Sequence, residues 1–329
     1  MKGRQHIEIR NNRSVFKFDI DRNISVIKGD SATGKTTLVD MIAEFQQYGA
    51  DSGISLSSDK RCVVLGRQNW QQELKSTSDC IVFIDEGNDF VKSKEFAEAI
   101  RGSDNYYVIV TRENLFELPV SINAIYGIKG RKYFSLKQTY NSLYRIYPDE
   151  SDYTKPEVVL TEDSGSGYEF FDSVAAEHSC ECRSSNGNAN ILNELKLCEN
   201  KSVLIIADGT AFGAYMEMLY DYRTRKNSSI CAYLPESFEW IILSSGLIDG
   251  KRIADIVEHT EDYLESAEYF SWEQFYTKLL IQETKDGYLQ YNKSKLNENY
   301  LHSKEKKALL DVIDVAKRQM GIEEAYRWG

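Results

Sequence analysis

The sequence feature that most constrains the fold is the segment Gly29–Thr36, which reads GDSATGKT. It follows an apolar strand-like run, Ile24–Ile27, and opens a helical pattern at Thr37. This spacing of glycines before a Lys-Thr pair is typical of a loop that wraps closely around a polyphosphate at the amino terminus of a helix. The alternative is a glycine-rich turn without a ligand. We expect the following residues to contact a nucleotide: Gly29, Asp30, Ser31, Ala32, Thr33, Gly34, Lys35, Thr36 and Thr37.

Two side chains of this loop and two acids further along the chain have predicted chemical roles. Lys35 is expected to reach the terminal phosphates, and the Thr36 hydroxyl is expected to bind Mg²⁺. A second apolar run, Cys80–Ile84, ends at Asp85, which we assign as the metal-side carboxylate. Glu86 follows, where it can orient or deprotonate a water that attacks the γ-phosphate, so the pattern favours hydrolysis over transfer to a small-molecule acceptor. The alternative is an ordinary strand end capped by acids.

A cationic side chain follows a third strand-like run. Tyr106–Val110 precedes Thr111 and Arg112. Ligands bind at the carboxyl edge of open α/β sheets, so Arg112 is a candidate catalytic residue that senses or stabilises the γ-phosphate. A solvated loop residue or a salt-bridge partner is an equally open interpretation of this arginine.

The organisation of the whole chain follows from its length and from the order of its patterns. A length of 329 residues predicts about two domains. Short apolar runs alternate with helical patterns, which is typical of α/β proteins with parallel sheets. We predict a first α/β domain at residues 1–150, a second at 151–250, and a helical C-terminal region at 251–329. The last helix is expected to bury Leu309, Leu310, Ile313 and Ala316.

Charge is divided unequally between the two halves. Residues 1–150 carry 21 basic and 20 acidic side chains, whereas residues 151–329 carry 19 and 31. The acidic half repels phosphate backbones unless it recruits cations. Its run Tyr220–Lys226 combines tyrosines with basic residues, which fits either a nucleic-acid contact or a helix end with a basic last turn. The chain has no signal-peptide pattern and no apolar run of about 18 residues, so we expect a cytoplasmic protein without membrane contact.

Residues 1–130 resemble the additional-strand P-loop ATPases. Members of this group carry an extra strand between the P-loop strand and the strand that bears the metal-side aspartate, and a catalytic glutamate often follows that aspartate. Here Asp85 and Glu86 match this pair. The two strands before the P-loop, joined at residues 11–13, look like the antiparallel entry of ABC-type ATPases. The 43 residues between Thr36 and Cys80 contain no LSGG-like signature, so the resemblance does not extend to the helical arm of ABC dimers.

Acidic strand ends recur in the second half. Glu162 follows the apolar run Val158–Thr161, and Asp208 follows Val203–Ala207. In a parallel sheet both ends face the same edge, so the two carboxylates can converge on a divalent cation, with Glu236 after the next strand as a further ligand. Carboxylates that share Mg²⁺ perform phosphodiester chemistry, which makes Glu162 and Asp208 candidate catalytic residues. The alternative is that these acids only cap strand ends.

Residues 156–245 resemble the Toprim fold, the metal-dependent module of topoisomerases, primases and OLD-family nucleases. In that family a glutamate ends the first strand and an Asp-x-Asp ends a later one. Glu162 matches the glutamate and Asp208 the first aspartate, but Thr210 stands at the position of the second. Either Glu236 or Asp163 replaces the missing ligand, or the site is degenerate and inactive.

Together the resemblances imply an ATPase of the ABC/OLD-like group whose nucleotide state controls a Toprim-like, Mg²⁺-dependent module acting on nucleic acid, as in defence nucleases. The alternative is an ATPase that serves as a sensor or scaffold and binds a protein partner through a degenerate Toprim-like domain. A small-molecule kinase is a third possibility. The expected cofactors are ATP and Mg²⁺, and the expected partners are nucleic acid and either another protein or a second copy of the chain.

Overall fold

The structure is a computed structural model that describes residues 1–29, 33–132, 138–147, 155–226, 229–248 and 250–313. Three residues of the predicted nucleotide loop, Asp30, Ser31 and Ala32, lie outside these ranges, as does Ala316. The strands are β1 Gln5–Arg10, β2 Ser14–Ile20, β3 Ile24–Ile27, β4 Ser55–Ser58, β5 Arg61–Val64, β6 Cys80–Ile84, β7 Tyr106–Val110, β8 Ile125–Lys132, β9 Thr139–Arg145, β10 Val158–Thr161, β11 Glu181–Ser184, β12 Val203–Ile206 and β13 Ile230–Tyr233.

The helices are α1 Lys35–Tyr48, α2 Trp70–Lys75, α3 Lys94–Ile100, α4 Ser166–Glu177, α5 Ile191–Leu197, α6 Met216–Lys226, α7 Phe238–Ser244, α8 Lys251–Glu258, α9 Thr260–Tyr263, α10 Trp272–Glu283 and α11 Ser303–Val312. The fold is therefore mixed α/β, as the alternation of apolar runs and helical patterns predicts. In the part of the chain that the structure describes, no helix is long and apolar enough to cross a membrane.

The chain divides into two compact units. Unit 1 comprises Met1–Pro148 and Thr260–Phe270, and unit 2 comprises Asp149–His259 and Ser271–Gly329. The C-terminal stretch that the sequence presents as one helical region is thus shared between the units. Residues 260–270 pack with unit 1 because backbone bonds tie them to its amino terminus: Gly3 N donates to Glu261 O at 2.7 Å, and Ser266 N donates to Met1 O at 3.1 Å.

Unit 1 is built on a nine-stranded sheet with the order β4-β1-β2-β9-β8-β3-β7-β6-β5. Strands β3, β5, β6 and β7 pair in parallel, and β7 lies between β3 and β6. Every residue of β3, β6 and β7 is buried, because helices cover both faces of a parallel sheet and its strands become continuous apolar runs. The sequence predicts these three strands correctly, together with the two strands that precede them in the chain, β1 and β2.

Three strands of this sheet escape prediction from the sequence. Strand β4 is a short edge strand of mostly serine, and β9 alternates half-buried and exposed residues. Strand β8 is apolar only in its first half and contains two glycines. Strand β4 pairs with β1, β9 pairs with β2, and β8 and β9 pair with each other. A local apolar pattern does not reveal such pairing.

Unit 2 contains a four-stranded sheet with the order β11-β10-β12-β13. All three strand pairings are parallel, so the carboxyl ends of the strands share one edge. Helix α7 packs against α10 and α11, which brings chain from beyond residue 270 onto this α/β layer. In α11 and the residue after it, Leu309, Leu310 and Ile313 are buried, as the helical periodicity predicts.

A close backbone approach joins the two parts of unit 2. A Cβ atom on Gly165, at the start of α4, would lie 2.2 Å from the carbonyl oxygen of Lys293. Ser166 N donates a hydrogen bond of 3.0 Å to the same oxygen. The segment around Lys293 therefore rests directly on the amino terminus of α4, and only glycine leaves room for it.

We predict that Gly165→Ala lowers the free energy of unfolding of the protein by about 1–3 kcal/mol, because the methyl group must displace backbone and not a flexible side chain. Urea unfolding followed by circular dichroism measures this. Gly66→Ala is the matched control, since its Cβ would lie 3.8 Å from the nearest atom, Glu73 Oε2. Equal effects of the two substitutions would contradict the prediction.

Candidate functional sites at two sheet edges

The first candidate site lies where β3 leads through the glycine-rich loop into α1. Lys28, just after β3, is anchored by its backbone N–H to Tyr126 O at 2.8 Å. Gly34 has φ +96°, a left-handed conformation that favours glycine, and it precedes the first turn of α1. The chain therefore turns sharply from a buried strand into a helix whose amino terminus faces the loop.

Lys35 points back along this loop. Its residue is only 4% exposed, and its Nζ donates to Gly29 O at 2.5 Å and to Thr33 Oγ1 at 3.3 Å. Thr36 and Thr37 are exposed in the first turn of α1, where no acidic side chain and no side-chain cap occupies the helix amino terminus. The positive end of the α1 dipole and the Lys35 ammonium therefore lie together, an arrangement that is suited to binding an anion.

Asp85 lies at the carboxyl end of β6, two strands away from β3 in the sheet. Its Oδ1 is buried and has no hydrogen-bond partner in the part of the chain that the structure describes. The pKa of Asp85 is raised, mainly by burial. A hydrogen bond from the Glu86 backbone and the nearby charge of Lys35 lower the pKa, whereas the charges of Asp40 and Glu86 raise it further. A buried carboxylate oxygen without a donor, close to the loop lysine, fits the oxygen ligand that a hard cation such as Mg²⁺ takes.

Glu86 and Arg112 form an ion pair at the same edge, with Arg112 Nε 2.7 Å from Glu86 Oε1. Their side chains are 34% and 55% exposed, so the pair contributes little to stability, on the order of 0–1 kcal/mol. The structure brings the two residues together because β7, which precedes Arg112, is the direct neighbour of β6. Arg112 therefore forms a salt bridge here, and its contact with a γ-phosphate stays a prediction.

The second candidate site lies at the carboxyl edge of the unit 2 sheet. Strands β10 and β12 are parallel neighbours, and the backbone N–H of Asp208 donates to Glu162 Oε2 at 3.1 Å. The Glu162 carboxylate thus contacts the backbone of Asp208, and the convergence of the two carboxylates on a divalent cation stays a prediction. The contact arises because the two acids follow neighbouring buried strands, Glu162 directly after β10 and Asp208 one residue beyond β12.

The environment raises the pKa of both acids. Burial is the main cause for Glu162, whose pKa rises to about 7 despite the hydrogen bond from Asp208; the charges of Glu273 and Asp163 add to the shift. Burial also raises the pKa of Asp208, and the charges of Glu273, Glu162 and Glu239 act in the same direction. The pair therefore holds a proton more readily than isolated carboxylates do.

Sequence reasoning did not identify Glu273 and Lys293, two further charged groups of this site. Glu273, in the first turn of α10, forms an ion pair with Lys293. Burial opposes the charge of Lys293, but Glu273, Glu239 and Asp208 together raise the pKa of its ammonium group. The Lys293 ammonium is thus a built-in cation for the carboxylates at this edge. In the sequence, Lys293 is one of the 19 basic residues of the acidic half, and no local pattern distinguishes it from the others.

Glu239 is the most deeply buried acid of the site, with 2% exposure. Tyr291 Oη and Thr277 Oγ1 each donate to its Oε1 at 2.9 Å. Ser166 Oγ lies 2.9 Å from the same tyrosine hydroxyl. This hydrogen-bonded chain fixes α7, α10 and the residues after α10 around the sheet edge, so Glu239 has a structural role.

The two proposed substitutes for the missing Toprim-like ligand are arranged differently. Both carboxylate oxygens of Asp163 accept backbone bonds at the start of α4, from Gly165 N at 2.8 Å and Gly167 N at 2.9 Å. Glu236 O lies 3.4 Å from Thr210 N. Within the residues that the structure describes, no group of three or more His, Cys, Asp and Glu side chains is arranged to hold a metal ion. Glu162 and Asp208 therefore meet as a pair.

The chain was compared with protein-family models, with curated proteins and with solved structures, and none of them matches it.

The raised pKa of Glu162 predicts a specific dependence of stability on pH. Its folded-state pKa of about 7 lies above the ordinary 4.5, so the folded protein holds this proton more tightly than the unfolded chain does. Stability is therefore highest below pH 4.5 with respect to this group and falls as the pH rises through 7. We expect Glu162→Gln to flatten the loss of stability between pH 5 and 8 and to be more stable than the parent at pH 8.

Urea unfolding at several pH values measures this effect. Glu258→Gln is the control, because Glu258 is an exposed glutamate at the end of α8 in the same unit. If both variants shift the plot of unfolding free energy against pH by a constant amount, and Glu162→Gln does not change its slope, then Glu162 is not the responsible group.

Proposed function

We propose that unit 1 binds ATP with Mg²⁺ and hydrolyses the γ-phosphate bond. The observation that carries this proposal is the position of Lys35 in the strand-to-helix loop, close to the partnerless carboxylate oxygen of Asp85. The strand order supports it, since β7 lies between the loop strand β3 and the aspartate strand β6, as in the additional-strand P-loop ATPases.

The residues of unit 1 have distinct roles in this proposal. Lys35 and the first amides of α1 bind the phosphates, and Thr36 and Asp85 bind Mg²⁺, which neutralises phosphate charge when bound. Glu86 orients or deprotonates the attacking water. Its ion pair with Arg112 means that a γ-phosphate competes with Glu86 for the guanidinium group. Transfer of Arg112 to the phosphate frees the glutamate for the water.

We further propose that the nucleotide state of unit 1 controls unit 2, and that unit 2 acts on nucleic acid with Mg²⁺, as in OLD-like nucleases. The contact between Asp208 and Glu162 supports this, because these acids match the Toprim-like positions. A carboxyl group with a pKa of about 7 is also suited to exchange protons near neutral pH.

A second candidate function is supported by other residues of the same site. Lys293 already supplies a positive charge among the carboxylates. Thr210, at the position of an expected acid, is 2% exposed, and its hydroxyl has no hydrogen-bond partner among the described residues. These features favour a sensor or scaffold in which unit 2 has lost metal chemistry and binds a protein partner.

For the ATPase, we expect Lys35→Ala to abolish both ATP binding and hydrolysis, because the cation at the phosphates is removed. Glu86→Gln should retain ATP binding and reduce the hydrolysis rate by about a hundredfold, in the range of general-base catalysis. Phosphate release and fluorescent-nucleotide binding measure the two effects. Lys94→Ala, at an exposed lysine at the start of α3, is the control. Hydrolysis by Lys35→Ala at the parent rate would refute the assignment.

The two candidate roles of unit 2 predict different results with Mg²⁺ or Mn²⁺. In the first, the protein cleaves plasmid or single-stranded DNA or RNA, Glu162→Ala loses this activity, and ATP or Lys35→Ala changes it. In the second, neither metal supports cleavage by the parent, while ATP hydrolysis remains sensitive to Lys35→Ala. Gel assays with and without ATP distinguish the outcomes, and Glu258→Ala is the matched acidic control in unit 2.

A further inference from the structure

Unit 1 has an exposed sheet face that neither candidate site uses. It is formed by β1, β2, β9 and β8, whose opposite face packs into the core through residues such as Phe16, Phe18 and Ile128. The outer residues of β9 are Tyr140, Ser142 and Tyr144, all exposed. A sheet with one buried face and one exposed face needs only polar residues outside, so exposed tyrosines at two alternate positions are a distinct feature.

Basic side chains surround these tyrosines on the same face. Tyr140 pairs across the strands with Arg131 on one side and Val15 on the other, and Val15 pairs with Arg10. Arg10, Tyr140 and Arg131 therefore lie in one row across the sheet. Lys129, opposite Ser142, lies between the two tyrosine positions on the neighbouring strand. The row spans three strand spacings, about 14 Å.

The acids of this face are already paired. Lys17 Nζ lies 3.3 Å from Glu8 Oε2, and His6 Nδ1 lies 2.6 Å from Asp19 Oδ1. Among the described residues, by contrast, Arg10, Lys129 and Arg131 form no ion pair with an acid. The end of the face around Tyr140 is therefore positively charged, although the protein as a whole carries a net charge of −11. This sign is complementary to a phosphate backbone.

The run Tyr220–Lys226 of unit 2, which has a similar composition, is arranged differently. On α6, Arg225 pairs with Asp221 at 3.2 Å, and the Arg223 guanidinium lies 5.5 Å from the ring centroid of Tyr220. Two of its cations are thus engaged within the helix, which supports the interpretation as a basic helix end. The sheet face of unit 1 is the better candidate surface for an anionic polymer.

We propose that this face, defined by Arg10, Lys129, Arg131, Tyr140 and Tyr144, binds single-stranded nucleic acid. The cations contact phosphates, and the tyrosine rings stack on unpaired bases. A duplex fits less well, because its bases already stack on one another and leave the rings without a partner. This binding needs neither ATP hydrolysis nor the carboxylates of unit 2, so it stands independently of the proposed function.

The test is fluorescence anisotropy of labelled 20-nucleotide oligo(dT) and oligo(U), and of a 20-base-pair duplex, titrated with the full chain. Excess EDTA and the absence of nucleotide exclude cleavage and hydrolysis. We expect single strands to bind more tightly than the duplex. Tyr140→Leu and Tyr144→Leu should each weaken single-strand binding by about tenfold, whereas Tyr140→Phe, which keeps the ring, should bind like the parent. Arg131→Gln should reduce the slope of log affinity against log salt by about 0.7.

Matched controls are available in the same unit. Tyr48→Leu removes an exposed tyrosine from the end of α1, and Lys94→Gln removes an exposed charge from α3; both should bind like the parent. Thermal unfolding should be unchanged in the Tyr140, Arg131 and control variants, whose side chains are exposed. Tyr144→Leu should unfold at a slightly lower temperature, because the Tyr144 ring packs over Gly127. The proposal is overturned if the parent does not bind single strands at 50 mM salt, if the duplex binds as tightly, or if the tyrosine variants bind like the controls. Loss of ATP hydrolysis or cleavage activity in other variants does not affect this outcome.

Discussion

Both candidate sites depend on one constraint, which is that the carboxyl ends of parallel strands meet at a single edge of their sheet. A buried strand cannot hold a charged side chain, so the first acid after it lies at the point where the strand reaches solvent. Asp85 follows β6 in this way, and Glu162 and Asp208 follow β10 and β12. Because these strands are apolar, they are buried inside their sheets. The acids that follow them therefore lie at the carboxyl edge of the sheet.

The partly buried charge that results is balanced differently in the two units. In unit 1 Lys35 lies close to Asp85, and Arg112 pairs with Glu86. In unit 2 Lys293 pairs with Glu273 near Glu162 and Asp208, and the pKa values of this acid pair rise. A phosphate or a metal ion that enters either site must compete with these internal pairs. In the function that we propose, this competition couples ligand binding to the movement of a specific side chain.

Local patterns predicted the strands and helices that carry the first site, because a buried parallel strand and an amphipathic helix each leave a periodic signal. They did not predict β4, β8 and β9, whose residues are polar or half-exposed and become strands only by pairing. The exposed tyrosine and arginine face was missed for the same reason. Arg131 and Tyr140 are nine positions apart along the chain and adjacent only after β8 pairs with β9.

Local sequence patterns were enough to predict the buried strands β3, β6 and β7, the helix that begins after the glycine-rich run, and the acids that follow the strands. These features depend on local spacing and on the apolar character of short runs, which are properties of neighbouring residues. The contacts of Arg112 with Glu86 and of Lys293 with Glu273 follow instead from the folding of distant segments together. This folding likewise brought residues 260–270 to unit 1. Such contacts join residues that are distant along the chain, and their positions follow from how strands pair and helices pack.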